Sequence, residues 1–220
     1  MTARRTLTMA GAVAATAVLA SCSGTSTPSV SSGGASSSAS SSASPTAATT
    51  GQPAPRMTES NPPGDIPDNT AYVAFSPAGS GYSVKIPEGW ARTSTGTTTS
   101  FTDKLNHIEM STAAAPNQPT VDSVTKTDAA SLRAKVPKFA MGRVSIVVRH
   151  SGTAILLTYQ GDSAPDQVTG KVVRDAFERY TFYHAGRRGT GKRVDLTLSG
   201  PTNADNVDPW RIVSDSLRWS

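Results

Sequence analysis

The stretch Gly81-Tyr82-Ser83-Val84-Lys85-Ile86-Pro87-Glu88-Gly89-Trp90 alternates apolar and polar residues and then stops abruptly. Tyr82, Val84 and Ile86 fall on one side, and Ser83, Lys85 and Pro87 on the other, which is the period of a half-buried strand. Pro87-Glu88-Gly89 breaks the strand, and Trp90 follows the break. Just before it, Tyr72-Val73-Ala74-Phe75 is a second short strand candidate, joined through a turn that holds Pro77, Gly79 and Gly81.

Further along, residues 97–102 and 107–112 read as two more strands, separated by Asp103-Lys104-Leu105-Asn106. Ile108 and Met110 share one face of the second. The spacing then changes. Over 120–136, Val121, Val124, Ala129, Leu132 and Val136 recur near one side of a helix. Pro119-Thr120 starts it, Arg133 and Lys135 suit its negative end, and Pro137 stops it. Residues 144–149 and 153–159 are β-rich and meet at the turn His150-Ser151-Gly152. Ile155-Leu156-Leu157 is apolar on both faces, which predicts a central strand covered on each side.

Residues 171–183 end in the strand-like Tyr180-Thr181-Phe182-Tyr183. Val194, Leu196 and Leu198 alternate with Asp195, Thr197 and Ser199, a clear strand that should pair back across the basic turn 186–193. Asp208-Pro209 opens a last helix, with Asp208 as its cap and Pro209 at its first position. Trp210, Val213 and Leu217 form its buried stripe. These elements occupy 66–220, an ordinary length for one core. Of 21 Lys and Arg, Arg4, Arg5 and Arg56 lie outside this region, leaving 18; of 16 Asp and Glu, Glu59 and Asp65 lie outside, leaving 14. The resulting +4 is too mild to point to nucleic acid.

The start of the chain is different. Arg4 and Arg5 precede an uncharged run over 6–19, too short to span a membrane but right for a signal peptide core. The run ends in Leu19-Ala20-Ser21-Cys22, which holds the only cysteine. These four residues resemble the bacterial lipobox. That resemblance implies a signal peptide over 1–21, cleavage before Cys22, a diacylglyceryl group on the Cys22 thiol, and palmitate as an acyl chain of the anchor. Plain secretion with a stray thiol is the alternative, and Arg4-Arg5-Thr6-Leu7 partly matches a twin-arginine signal. Residues 23–55 carry no charge and no aromatic ring. A segment of that composition cannot bury enough apolar surface to order itself, so 22–65 is expected to be a disordered tether. Its reach is on the order of 35–40 Å.

Three motifs in order carry a family resemblance: Gly81 to Trp90 as quoted above; Leu196-Thr197-Leu198-Ser199-Gly200-Pro201; and Asp205-Asn206-Val207-Asp208-Pro209-Trp210-Arg211 with Ser216-Leu217-Arg218-Trp219. They resemble PsbP-like domains, including the LpqN-type exported lipoproteins of actinobacteria. The resemblance implies an α+β fold, an α/β/α sandwich with a central antiparallel sheet and helices on both faces. It implies an accessory or binding role, no agreed catalysis and no cofactor.

The residues themselves add little chemistry. The turn Gly186-Arg187-Arg188-Gly189-Thr190-Gly191-Lys192-Arg193 matches a phosphate loop except at its last position, where magnesium needs Ser or Thr, and a strand follows in place of a helix. Arg187, Arg188, Lys192 and Arg193 fit a basic turn, or a patch for anionic head groups or wall polymers. His107, His150 and His184 lack ligand spacing, so no metal site is expected. Asp205, Asn206 and Asp208 suit turns and caps better than a calcium cage. No serine lies in a Gly-x-Ser-x-Gly motif. Trp90, Trp210 and Trp219 read as core residues, with a ligand platform as the alternative. The expected protein is therefore a non-catalytic binding or accessory lipoprotein on the outer face of the cytoplasmic membrane, with an envelope protein or ligand as partner. A carrier of a small apolar ligand and an envelope hydrolase are the alternatives.

Overall fold

The computed structural model describes residues 62–166, 169–187 and 190–220. A signal peptide, Leu19 to Cys22 and the tether up to residue 61 lie outside the described residues. Within them the chain is a mixed α+β domain built on one large antiparallel sheet.

Ten strands run in chain order: β1 (Tyr72–Phe75), β2 (Tyr82–Pro87), β3 (Ala91–Thr95), β4 (Thr98–Asp103), β5 (Asn106–Ala114), β6 (Ala140–Arg149), β7 (Gly152–Asp162), β8 (Arg174–His184), β9 (Lys192–Pro201) and β10 (Arg218–Trp219). Seven form the large sheet in the order β3-β4-β5-β9-β8-β7-β6, and β1-β2-β10 form a small one. All their pairings are antiparallel. The strand over 192–201 does pair back on the strand before it, with His184 opposite Lys192. The β7 segment Ile155-Leu156-Leu157 is buried on both faces as expected, although β7 lies next to the sheet edge and not at its centre.

The first face of the large sheet carries Ile108, Met110, Leu156, Tyr180, Phe182, Val194, Leu196 and Leu198. It is sealed by Tyr82, Val84 and Ile86 of the small sheet and by Trp210, Val213 and Leu217. The last three belong to helix α3 (Val207–Asp215) and the segment after it. The opening alternation thus works as read: the apolar side of β2 is core, and its backbone joins β1 to β10. Helix α3 covers this face as expected, and it shares the cover with a layer of strands. Trp210 is 9% exposed and belongs to this core.

The second face holds Ile155, Leu157, Tyr159 and Phe177 beneath a helix of three pieces. These are α1 (Val121–Ser123), a π-helical turn (Val124–Asp128) and α2 (Ala129–Lys135). Thr120 caps it, exchanging hydrogen bonds with Ser123 at 2.9 and 3.1 Å. Val124 and Ala129 supply the buried contacts, and Tyr159 stacks on Phe177 at 4.5 Å.

Two expectations shift. β3 was not anticipated, because Ala91-Arg92-Thr93-Ser94-Thr95 is exposed throughout and shows no apolar period. Helix α3 begins at Val207, so Asp208 lies in its first turn and does not cap it. Asn206 holds the cap position, but its side chain is engaged elsewhere.

Candidate functional site

Asn206 explains how the domain begins. Its Oδ1 accepts from the Ile66 N–H at 2.8 Å, and its Nδ2 donates to Gly64 O and to Asn106 Oδ1, both at 2.9 Å. Asn106 Nδ2 donates to the same Gly64 carbonyl at 2.8 Å. Two buried amides therefore clamp the chain where it enters the fold, and a fully paired network of this kind fixes one geometry. Gly64 has φ +101°, and a Cβ there would meet Pro201 Cγ at 2.6 Å. Gly64 and Asp65 thus both contact the 201–206 segment, with the Asp205 N–H donating to Asp65 Oδ1 at 2.9 Å.

Ile66, whose N–H the clamp holds, also lines an open cleft of about 360 Å³ together with Pro67, Thr70, Glu88, Trp90 and Asp103 among others. The break after β2 supplies Glu88 and Trp90. The Glu88 N–H donates to Ala71 O at 2.8 Å, and Gly89 turns with φ +84°. Asp103 comes from the end of β4. Trp90 packs one side on the core and is half-buried, while Glu88 and Asp103 are exposed. An indole beside two carboxylates offers an apolar plate and anionic acceptors. It suits a ligand with a flat or cationic part and several donors. No histidine or thiol lines the cleft among the described residues.

The second face of the sheet carries a separate charged cluster. Asp195 accepts from Arg193 Nε at 2.9 Å, from Arg179 Nη2 at 2.9 Å and from Thr181 Oγ1 at 2.8 Å. Arg193 Nη2 reaches on to Asp128 of the π-helical turn at 2.7 Å. Burial alone would lower the Arg193 pKa, but the hydrogen bonds and charges of Asp128 and Asp195 hold it above its ordinary value. Nearby, burial pushes the Tyr159 hydroxyl up to about 12, so it stays neutral. These ions tie strand to strand and strand to helix, and every carboxylate oxygen of Asp195 is engaged. The cluster is built to hold the fold, not to react.

The sequence-derived site residues separate accordingly. Cys22 and the rest of the lipobox, Leu19, Ala20 and Ser21, lie outside the described residues, as does Arg188. Arg187 is exposed. Lys192 and Arg193 point to opposite faces of β9. The Lys192 ammonium donates to the Ser80 carbonyl, and Arg193 is held by the two aspartates. Of the four basic residues expected to form one patch, these two are engaged inside the fold. His107 bonds Thr102 at 2.9 Å, with its pKa lowered by burial. His184 packs on Trp219 at 5.1 Å, and His150 lies exposed in the β6–β7 turn. Among the described residues no group of His, Cys, Asp and Glu could hold a metal. The sequence had singled out Trp90 but not Glu88 or Asp103, which read only as turn residues.

No protein-family model and no curated protein matches the chain. Solved structures similar to it include PsbP of the cyanobacterium Synechocystis, with TM-score 0.47 and 16% identity over 69% of this chain and 94% of that one. LpqN of Mycobacterium tuberculosis, described as involved in cell envelope biogenesis, gives TM-score 0.43 and 11% identity over 69% and 91%. A Pseudomonas aeruginosa protein of unknown function gives 0.33 and 15% over 60% and 83%. At these values none of them speaks to what this chain does.

Proposed function

We propose that this chain is an exported lipoprotein, anchored through Cys22 to the outer face of the cytoplasmic membrane, whose domain binds a partner or ligand of the cell envelope without catalysis. The observation that carries the reading is Leu19-Ala20-Ser21-Cys22 at the end of an uncharged run that follows Arg4-Arg5. The thiol in that motif is the one cysteine of the chain, and a lone thiol in an exported protein is usually avoided unless it has work to do. One acyl anchor binds a membrane only marginally, so the two or three chains of a bacterial lipoprotein are what hold it there. Among the described residues no helix is long and apolar enough to cross a membrane.

The binding surface in this reading is the Trp90 cleft. Ile66 and Pro67 line it beside an indole and two exposed carboxylates. Trp90→Ala and the pair Glu88→Gln, Asp103→Asn should reduce retention of the protein on isolated envelope, with little change in the melt for the carboxylate pair. Unchanged retention in both variants would remove the cleft from the account.

A second reading, an envelope hydrolase, draws on the same two carboxylates, since an acid and a base in one cleft can cleave glycosidic bonds. Release of soluble fragments from purified envelope by the wild-type chain, abolished by Glu88→Gln, would favour it over binding alone.

A further inference from the structure

The Trp90 cleft is selective in both charge and size. The charged residues that line it, Glu88 and Asp103, are both acidic, although residues 66–220 carry a surplus of four cations. Lys104 follows Asp103 but lies outside the lining. Among the described residues the ion pairs engage Asp122, Asp128, Asp162, Asp195 and Asp215, and neither cleft carboxylate is among them. Asp68, exposed in the turn between the lining residues Pro67 and Thr70, adds a third negative charge close by. The cleft therefore presents acceptors with no internal cation to satisfy them.

The strand register places the parts. Ala91 stands opposite Thr102 in the ladder of β3 with β4. One step further, Trp90 and Asp103 come to facing positions, where cross-strand side chains are within reach of each other. Glu88 belongs to a different element, the break after β2, and its N–H on Ala71 O at 2.8 Å ties it to another stretch of the lining. Ile66, Pro67 and Ala71 make the remaining wall apolar, and Thr70 adds a hydroxyl.

Taking this cleft as the binding surface of the domain, we propose that it receives a primary ammonium group carried on a short aliphatic stem, as in the side chain of a diamino acid. The stem lies against Trp90 and the apolar wall, and the ammonium meets Glu88 and Asp103. An ammonium has three diverging donors, which suit acceptors that come from separate elements. A guanidinium is a planar fork matched to the two oxygens of one carboxylate. A quaternary ammonium has no donor and is held by a cage of aromatic faces, whereas one indole lines this cleft. An anion would meet two like charges. The volume of about 360 Å³ is near the small end for ligand clefts and admits a side chain, not a polymer strand.

The probe is pentylamine, with pentanol and pentanoate as neutral and anionic controls of similar stem. The full chain carrying Cys22→Ser, which removes the acylation site, is isotope-labelled at its tryptophan side chains, and Trp90→Phe identifies the Trp90 indole signal in the nuclear magnetic resonance spectrum. Pentylamine should shift that signal saturably and bind roughly tenfold more tightly than pentanol, because charge-assisted hydrogen bonds add to the apolar contact. Pentanoate should not bind. In the pair Glu88→Gln, Asp103→Asn, pentylamine should fall to the level of pentanol, with the circular dichroism spectrum retained. Pentanol or pentanoate binding as tightly as pentylamine, a Trp90 signal that none of the three moves, or pentylamine binding indifferent to the carboxylate pair overturns the ammonium assignment. Retention on isolated envelope separates this failure from that of the cleft itself. If Trp90→Ala lowers retention while pentylamine binds no better than pentanol, the cleft binds but its ligand is not an ammonium. If pentylamine binds selectively at Trp90 while retention is unchanged in both the Trp90 and the carboxylate variants, the ligand class stands and the envelope role of the cleft falls.

Discussion

Leu196 and Asp195 are neighbours on β9 and face opposite sides of the same sheet. Leu196 lies in an apolar layer sealed by the small sheet and α3. Asp195 lies in a layer of ion pairs that reaches the helix through Arg193 and Asp128. Both faces are buried, but they are held by different physics. The first gains from removing apolar surface from water, which tolerates changes of shape as long as volume is kept. The second gains little net energy from its charges, yet loses much if one partner is taken away. A single strand therefore carries a layer that supplies stability and a layer that fixes how the helix docks.

The largest expected effect is on the apolar layer. Leu196→Ala, at a fully buried site, should cost about 3–5 kcal/mol in denaturant unfolding. Trp210→Ala should cost a similar amount, because its indole joins α3 to the same core. An unchanged melt for Trp210→Ala would place this helix outside the core and make it a candidate contact surface. Next is Asp195→Ala, which strands Arg179 and Arg193 in a buried setting and should cost about 3 kcal/mol. If the loss were under about 1 kcal/mol, the distinction between the faces would fail, since the ion layer would then be dispensable.

These pairs also show what the sequence could reveal. The apolar layer was legible: Tyr82, Val84 and Ile86, then Val194, Leu196 and Leu198, gave both period and face. The helix over 121–135 was legible from its stripe and from the Pro137 stop, and Trp210, Val213 and Leu217 from their spacing. The ion layer was not. Asp195, Thr197 and Ser199 look like the wet side of a half-buried strand, yet they are 7%, 8% and 4% exposed. What buries them is the helix and the strands on either side, whose residues lie far away in sequence. The same holds for Asn106 and Asn206, which read as a loop and a cap residue but clamp the chain at Gly64. β3 left no signal because none of its side chains is buried. The cleft was only half legible, since Trp90 stands out in any sequence while Glu88 and Asp103 look like ordinary turn residues.

A smaller effect sharpens the contrast through pH. Asp175, at the start of β8, is buried, and its Oδ1 has no partner among the described residues. Burial raises its pKa from the ordinary 3.8 to about 6. The native state then holds this proton more tightly than the unfolded chain does. The contribution is fully present below about pH 4 and is lost as pH rises through about 6. Asp175→Asn should remove that loss and stabilise the domain by about 1–2 kcal/mol at pH 7, with almost no effect at pH 4. A destabilisation at pH 7 would mean that the carboxylate has a partner when ionised. The smallest effect belongs to the exposed pair Lys126–Asp122, 2.9 Å apart on the outer side of the helix. Lys126→Ala should change stability by less than about 0.5 kcal/mol.

All of this concerns a domain whose proposed role depends on where it is held. The most direct measurement is mass spectrometry of the N-terminal peptide from protein extracted from membranes of the cell that makes it. The account predicts a peptide that begins at Cys22 and carries a diacylglyceryl group on its sulfur. A mature chain that begins elsewhere, or one that begins at Cys22 with a free thiol, would contradict it.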